Sequence, residues 1–146
     1  MKLIREILYK VEINSVVGNT SLSINKIEFD SRLISDGDMY IAITGVNVDG
    51  HNFISQAIQN GANCIVCEKT TENKSDGVVY VNVKSSRKAL AIISSNYFDN
   101  PSSKLNLIGV TGTNGKTTIA TLLFDLYTEL EIKSCLLYTS DAADDD

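Results

Sequence analysis

The residues with the most specific chemical pattern are Gly112-Thr113-Asn114-Gly115-Lys116-Thr117-Thr118. They stand between a predicted strand at 105–110 and a predicted helix at 119–130. Glycines let such a loop curl so that its backbone N–H groups point inward, and the following helix N-terminus favours negative charge. Lys116 would reach the outer phosphates of a nucleotide, and the Thr117 hydroxyl would bind Mg²⁺. The pattern predicts a short GxxGKT phosphate loop, the alternative being an ordinary helix start after a glycine turn.

Hydrophobic spacing predicts the elements that position this loop. A strand ends at Asp30, further strands lie at 39–44, 64–68, 78–83 and 105–110, and helices begin near positions 4, 53, 86 and 119. Ser85 or Ser86 is the predicted cap of the third helix. Strands that alternate with helices predict an α/β fold with a mainly parallel sheet.

A four-residue group without a hydrophobic member, Asn100-Pro101-Ser102-Ser103, contains the single proline and marks a domain boundary. We therefore expect a domain at 1–100, a linker at 101–104, and the start of a second domain at 105–137. The last segment, 138–146, is acidic and has no apolar pattern. It resembles translated adapter sequence joined to a truncated gene, so we expect this tail to be non-native.

The composition excludes several classes of protein. The chain has 146 residues, a formal net charge of −5 and 21% charged residues, which is typical of a soluble globular protein. Four of the acidic residues lie in the tail, and a nearly neutral body argues against a nucleic-acid partner, which requires a basic surface. No apolar stretch approaches the ~20 residues that span a bilayer, so no membrane partner is expected. Three cysteines without a signal peptide indicate a reducing, cytoplasmic location.

The segment from Val110 to Thr118 resembles the ATP-binding loop of the Mur ligases, which join an amino acid to a nucleotide-linked muramoyl peptide. Thr117-Thr118 favours these enzymes over the related folate-polyglutamylating enzymes, which typically carry Gly-Ser after the lysine. Three upstream patterns resemble the N-terminal domain that holds the UDP part of the substrate: Asp30-Ser31-Arg32, Gly37-Asp38-Met39-Tyr40-Ile41-Ala42 and Asp49-Gly50-His51-Asn52-Phe53. Tyr97-Phe98, Pro101 and Thr113 are more similar to the diamino-acid-adding branch than to the sister branch that adds D-alanyl-D-alanine.

The resemblance implies roles for individual residues. Phe29, Ser31, Val46, Asn47 and Val48 match positions that contact the UDP-muramoyl dipeptide, and residues 112–118 match the ATP site. Lys116 is the implied catalytic residue, and Thr117 the implied Mg²⁺ ligand. From the residues alone, Asp30-Ser31-Arg32 is more readily explained as a strand-ending turn with local hydrogen bonds.

The resemblance also implies an activity. ATP phosphorylates the D-glutamyl carboxylate of the nucleotide substrate and leaves as ADP. The amine of a diamino acid, meso-diaminopimelate or lysine, then attacks the acyl phosphate and displaces inorganic phosphate to form the amide. A monomer is expected, and the truncated chain itself should be inactive. Two alternatives stay open, namely the sister ligase and a non-catalytic nucleotide-binding module.

Two further groups invite functional interpretation. His51 is the only histidine and follows an Asp-Gly turn, so we expect a structural role. Cys64 and Cys67 have the spacing of a metal or redox motif. On a strand, however, residues three apart point to opposite faces, so these cysteines, like Cys135, are predicted to be packing residues.

Overall fold

The computed structural model describes residues 1–46, 48–69 and 74–138. The chain divides into two compact units, Met1–Leu105 and Asn106–Asp146. The division lies next to the proline-containing segment, which forms a 3₁₀ helix at Pro101–Lys104. Asn47, a predicted substrate contact, lies outside the described residues, as does all of the predicted non-native tail after Tyr138.

A mainly parallel sheet forms the centre of the first unit. The strands are β1 (Lys2–Leu3), β2 (Ile13–Val17), β3 (Ser23–Ile24), β4 (Ile27–Glu28), β5 (Asp38–Ile41), β6 (Ala62–Cys67) and β7 (Val79–Val83). In the described part of the chain, five of them form a sheet of order β2-β7-β6-β5-β4, and β1 pairs with β3. Strands β4 to β7 are parallel. The predicted α/β fold with a mainly parallel sheet is therefore confirmed, although the antiparallel edge strand β2 was not predicted.

Three helices cover the two faces of this sheet. They are α1 (Ile4–Ile7), α2 (Ile54–Gln59) and α3 (Ser86–Tyr97). Alternation along β5 explains the two faces: Met39 packs with α1 and α3, whereas Tyr40 packs with α2. Ser85 caps α3, because its hydroxyl accepts a hydrogen bond from the backbone N–H of Lys88. The predicted cap is confirmed at the first of its two candidate positions.

The cysteine pair on β6 also follows strand alternation. Cys64 lies in the core under α1 and α3, and Cys67 lies in the core under α2. Burial raises the pKa of both thiols. Within the described residues, no group of three or more His, Cys, Asp or Glu side chains could hold a metal ion. The prediction that these two cysteines pack on opposite faces is confirmed. Cys135, in contrast, is exposed, so the prediction that it is a packing residue was wrong: it lies in a segment without regular structure that has no described neighbour to cover it.

The loops that contain predicted substrate contacts lie at one edge of the sheet. Because β4, β5, β6 and β7 are parallel, their carboxyl ends meet at the same edge, which is where open α/β sheets bind ligands. The chain leaves this edge through the segments 29–30, 42–49, 68–69 and 84–85. These segments contain the predicted substrate contacts Phe29, Val46 and Val48.

The second unit contains one helix in its described part, α4 (Lys116–Glu129), which begins three residues before the predicted start. The strand predicted at 105–110 was wrong, since these residues have no strand structure. A strand requires a hydrogen-bonded neighbour, and the described residues of this unit provide none. Leu107 is 93% exposed, and Leu122 and Leu126 on α4 are 62% and 53% exposed. Among the helices of the described residues, none has both the length and the apolar character needed to cross a membrane.

Candidate functional site

Exposed apolar side chains mark the carboxyl edge of the sheet. Phe29, which follows β4, is 63% exposed, and Val46 and Val48 in the loop after β5 are 97% and 57% exposed. The structure thus brings three of the five predicted substrate contacts to one edge.

The loop that carries Val46 and Val48 is a narrow turn closed by a bridge between Thr44 and Asp49. The backbone N–H of Gly45 donates to the carbonyl of Val48 at 2.9 Å. A β-carbon at Gly45 would lie 2.8 Å from that carbonyl oxygen, so only glycine allows this approach. The side chains of Val46 and Val48 are therefore exposed, while the backbones of Gly45 and Val48 are bonded to each other.

Tyr40 supports the loop from below. Its hydroxyl donates to the carbonyl of Gly50 at 2.9 Å, and the N–H of Gly50 donates to the carbonyl of Ile43 at 2.9 Å. Burial, with the charges of Asp30 and Asp49, raises the pKa of Tyr40. The phenol therefore stays protonated and acts as a fixed donor to the loop backbone.

His51 binds groups on both sides of its ring. Its Nδ1 lies 2.6 Å from the Asp49 carboxylate, and the backbone N–H of Glu68 donates to its Nε2 at 2.9 Å. An imidazole that accepts at Nε2 donates at Nδ1, which assigns the tautomer. The side chain is only 6% exposed, which agrees with the expected structural role.

Asp49 is the acceptor at the centre of this network. Lys69 Nζ donates to it at 2.7 Å, and the His51 backbone N–H donates at 3.1 Å. The hydrogen bond from Lys69, followed by those from His51, holds the pKa of Asp49 well below its usual range. Asp49 is therefore ionised at neutral pH and fixes one end of the loop.

The Asp30-Ser31-Arg32 segment forms the strand-ending turn that the residues alone favoured. Asp30 caps the 3₁₀ helix at Ser31–Leu33 and accepts from the Arg32 backbone N–H at 3.0 Å. Hydrogen bonds from Arg32 lower the pKa of Asp30 to about 2. Ser31 is buried and its hydroxyl donates to Gln56 Oε1 at 3.1 Å. The predicted substrate contact of Ser31 therefore involves a hydroxyl that already has a partner on α2.

Arg87, in the first turn of α3, was missed by the sequence analysis. Its guanidinium Nη2 donates to the backbone carbonyl of Thr44 at 3.2 Å, although the two residues are 43 positions apart. An arginine two residues after a helix-capping serine at the carboxyl edge is the signal that could have drawn attention to it. Arg87 and Asp49 hold opposite ends of the same loop.

The predicted phosphate loop lies in the second unit and leads directly into α4. Gly115 occupies the cap position with a φ of +76°, a conformation that favours glycine. The first helical bond joins the Ile119 N–H to the Gly115 carbonyl. The N–H groups of Thr117 and Thr118 therefore have no acceptor inside the helix, and Gly115 has no side chain to cap them.

The Lys116 side chain turns back over this loop. Its Nζ donates to the carbonyl of Gly112 at 2.9 Å, which places a positive charge beside the helix start. The Thr117 hydroxyl lies on an exposed residue, and a β-carbon at Gly115 would meet nothing within 4 Å. Exposed amides, an ammonium and a hydroxyl at a helix N-terminus fit a phosphate chain with Mg²⁺.

Sequence and structure comparisons place these features in a known group of proteins. The chain is 49% identical over 137 residues to the UDP-N-acetylmuramoyl-L-alanyl-D-glutamate--2,6-diaminopimelate ligase of Cytophaga hutchinsonii, an alignment that covers 93% of this chain and 28% of that protein. It is 46% identical to the ligase of the same name from Clostridium tetani, with 95% of this chain and 29% of that protein covered. The chain thus spans less than a third of the length of these curated relatives.

The fold is similar to that of a solved enzyme. A crystal structure of MurF from Acinetobacter baumannii aligns with a TM-score of 0.50 and 29% sequence identity, over 73% of this chain and 23% of that one. The profile described as Mur ligase family, catalytic domain, matches residues 23–98. This match contains the carboxyl edge of the sheet and ends before the loop at 112–118. Because it covers more than half of the chain, the protein belongs to the Mur ligase family.

Proposed function

We propose that this chain forms the UDP-substrate-binding domain and the first part of the ATP-binding domain of a ligase that adds a diamino acid to UDP-N-acetylmuramoyl-L-alanyl-D-glutamate. The carrying observation is the carboxyl edge, where Phe29, Val46 and Val48 are exposed on internally bonded loops. We infer the ligand from relatives that are 40–49% identical to this chain and whose names contain this substrate and 2,6-diaminopimelate. We expect the reaction in the cytoplasm, where the free thiols of Cys64 and Cys67 persist.

Each loop at this edge has a part in binding. Phe29 offers an aromatic face, and Val46 and Val48 offer apolar contacts. Asn47 lies between the two valines in sequence and supplies an amide suited to the uridine or the diphosphate. Ser31 contributes its hydroxyl as an acceptor, because its hydrogen is already donated to Gln56.

The loop at 112–118 is proposed to hold ATP and Mg²⁺ in the complete enzyme. ATP, when bound, supplies the phosphoryl group that activates a carboxylate of the nucleotide substrate toward an amine. The backbone N–H groups of Thr117 and Thr118 would orient the phosphates, Lys116 would offset their negative charge, and the Thr117 hydroxyl would bind the metal ion. Positioning and charge compensation are the contributions that this segment can make.

Calorimetric titration of the chain with UDP-N-acetylmuramoyl-L-alanyl-D-glutamate tests the substrate domain. We expect binding that Phe29→Ala weakens about tenfold, because an aromatic anchor in a ligand surface typically contributes more than 1 kcal/mol. Phe98→Ala is the matched control, since Phe98 is exposed to a similar extent, 66% against 63%, but follows the C-terminal end of α3. No binding, or equal loss in both variants, would contradict the assignment.

The ligase that adds D-alanyl-D-alanine is the second candidate for the parent enzyme, because a solved structure with a similar fold is a MurF. An assay of ADP release by the proposed full-length enzyme distinguishes the two candidate ligases. We expect release with the dipeptide nucleotide and diaminopimelate. Release only with the tripeptide nucleotide and D-alanyl-D-alanine would support the second candidate instead.

A further inference from the structure

Glu68, the first residue after β6, connects the elements around the loop at 44–49. Its backbone N–H donates to His51 Nε2 at 2.9 Å. Its carboxylate accepts from the backbone N–H of Ser86 at 2.7 Å, in the first turn of α3, and its carbonyl accepts from Asn82 Nδ2 at 3.1 Å. One residue therefore fixes both the segment that follows the loop and the start of α3.

The two side chains that Glu68 positions act at opposite ends of the loop. His51 bonds to Asp49, whose carboxylate also receives the Lys69 ammonium. Arg87 directly follows Ser86, and its guanidinium donates to the carbonyl of Thr44. The two ends of the loop are thus held from both sides, while the side chains of Val46 and Val48 remain exposed.

We propose that Glu68, His51 and Arg87 form a positioning clamp that holds Gly45, Val46 and Val48 ready for the nucleotide substrate. The clamp rests on the proposed function, because the loop is a substrate contact only if that function is right. A loop that is ordered before binding does not lose its conformational freedom on binding, so preorganisation raises affinity without adding a contact. None of the three side chains needs to touch the ligand.

Two neighbouring cations on α3 allow a matched test. Arg87 and Lys88 are both exposed and lie in the same helical turn. The side chain of Arg87 donates to the carbonyl of Thr44, whereas Lys88 donates through its backbone N–H to the capping Ser85. Arg87→Gln and Lys88→Gln remove the same charge. If the two cations only attract the anionic nucleotide, both variants should lose affinity equally. If Arg87 holds the loop, only Arg87→Gln should lose affinity.

The test is calorimetric titration of the full chain and its variants with UDP-N-acetylmuramoyl-L-alanyl-D-glutamate. We expect Arg87→Gln to weaken binding about tenfold, the typical effect of losing one charge-assisted hydrogen bond. Lys88→Gln should change binding by less than about twofold, and Arg87→Lys should recover part of the affinity because it keeps a charged donor. The amide resonances of Gly45 and Val48 should shift in Arg87→Gln without a matching change in melting temperature.

The titrations distinguish a failure of the clamp from a failure of the proposed function on which the clamp rests. Equal affinity in Arg87→Gln and Lys88→Gln would overturn the clamp while leaving the proposed function intact. A loss of affinity that accompanies an equal loss of thermal stability would also overturn it, because the role would then be structural. Absence of binding by the unmodified chain would overturn the proposed function, and the clamp with it.

Discussion

Gly61, which follows α2, packs directly against the turn that precedes β5. A β-carbon at this position would lie 2.1 Å from the Asp36 carboxylate, 2.7 Å from the Asp36 α-carbon and 2.9 Å from its backbone nitrogen. The Gly61 carbonyl also accepts the N–H of Gly37 at 2.9 Å. Since the obstructing atoms include backbone, a rotation of the Asp36 side chain cannot relieve the contact. Gly61→Ala should therefore destabilise the first unit.

The destabilisation has two components. The φ of Gly61 is +105°, and a positive φ costs an alanine about 1–2 kcal/mol. Displacing packed backbone adds about 1–3 kcal/mol, the usual effect of overpacking. Gly77→Ala isolates the first component, because Gly77 has a φ of +82° and nothing within 4 Å of the added carbon. We expect the loss of unfolding free energy in Gly61→Ala to exceed that in Gly77→Ala by about 2 kcal/mol.

Thermal and urea unfolding of the chain measure this difference. For a domain of this size, 1 kcal/mol shifts the melting temperature by roughly 4–8 °C, so the two variants should differ by about 10–15 °C. The reduced entropy of the unfolded chain affects both alanine variants alike and cancels in the comparison. Equal melting temperatures for Gly61→Ala and Gly77→Ala would show that the contact with Asp36 is not the cause.

Three further outcomes follow from the contacts. Arg32→Ala should raise the pKa of Asp30 from about 2 toward its usual value, as NMR titration would show. Because the pKa of Asp30 is lower in the folded state, its interaction with Arg32 stabilises the fold above about pH 4, and this stabilisation is lost as the pH falls toward 2. An unchanged pKa in the variant would exclude Arg32 as the cause. Asn96→Ala should destabilise the fold by about 1–3 kcal/mol, because the Asn96 amide donates to the carbonyl of Ile7 at the end of α1, at 2.8 Å, and to the carbonyl of Tyr9, at 2.6 Å. Urea unfolding measures this change, and a loss of stability below the error of the measurement would contradict the prediction. Mg-ATP should bind the chain weakly or not at all, since the described second unit leaves the apolar stripe of α4 exposed; tight binding that Lys116→Met abolishes would refute this expectation.

Local sequence patterns were sufficient where short-range geometry determines the outcome. Strand alternation placed Cys64 and Cys67 on opposite faces. The amphipathic segment that follows Ser85 and Ser86 limited the helix cap to these two residues, of which Ser85 is the cap. The alternating strands and helices gave the parallel sheet, because parallel strands require crossover connections. Such predictions depend on the period of a helix or strand and on bonds within a few residues.

Long-range pairing decided the remaining elements. All residues of the edge strand β2 are exposed, so no alternation of buried and exposed positions predicted it. It is recognised only by its antiparallel pairing with β7. Residues 105–110 show the converse case: they have an apolar strand pattern but no strand structure in the described chain. Strand formation depends on a neighbour as well as on the pattern.

The sequence by itself determined the chemistry that is available: a GxxGKT loop at the start of a helix and a set of loops at the ends of parallel strands. Only the tertiary structure decided which groups are already bonded to one another. It directs the Ser31 hydroxyl to Gln56 and joins His51 to Glu68. It also brings Arg87 to Thr44 across 43 positions. Side-chain hydrogen bonds between distant segments depend on how the strands are ordered in the sheet, and no local period of the sequence encodes that order.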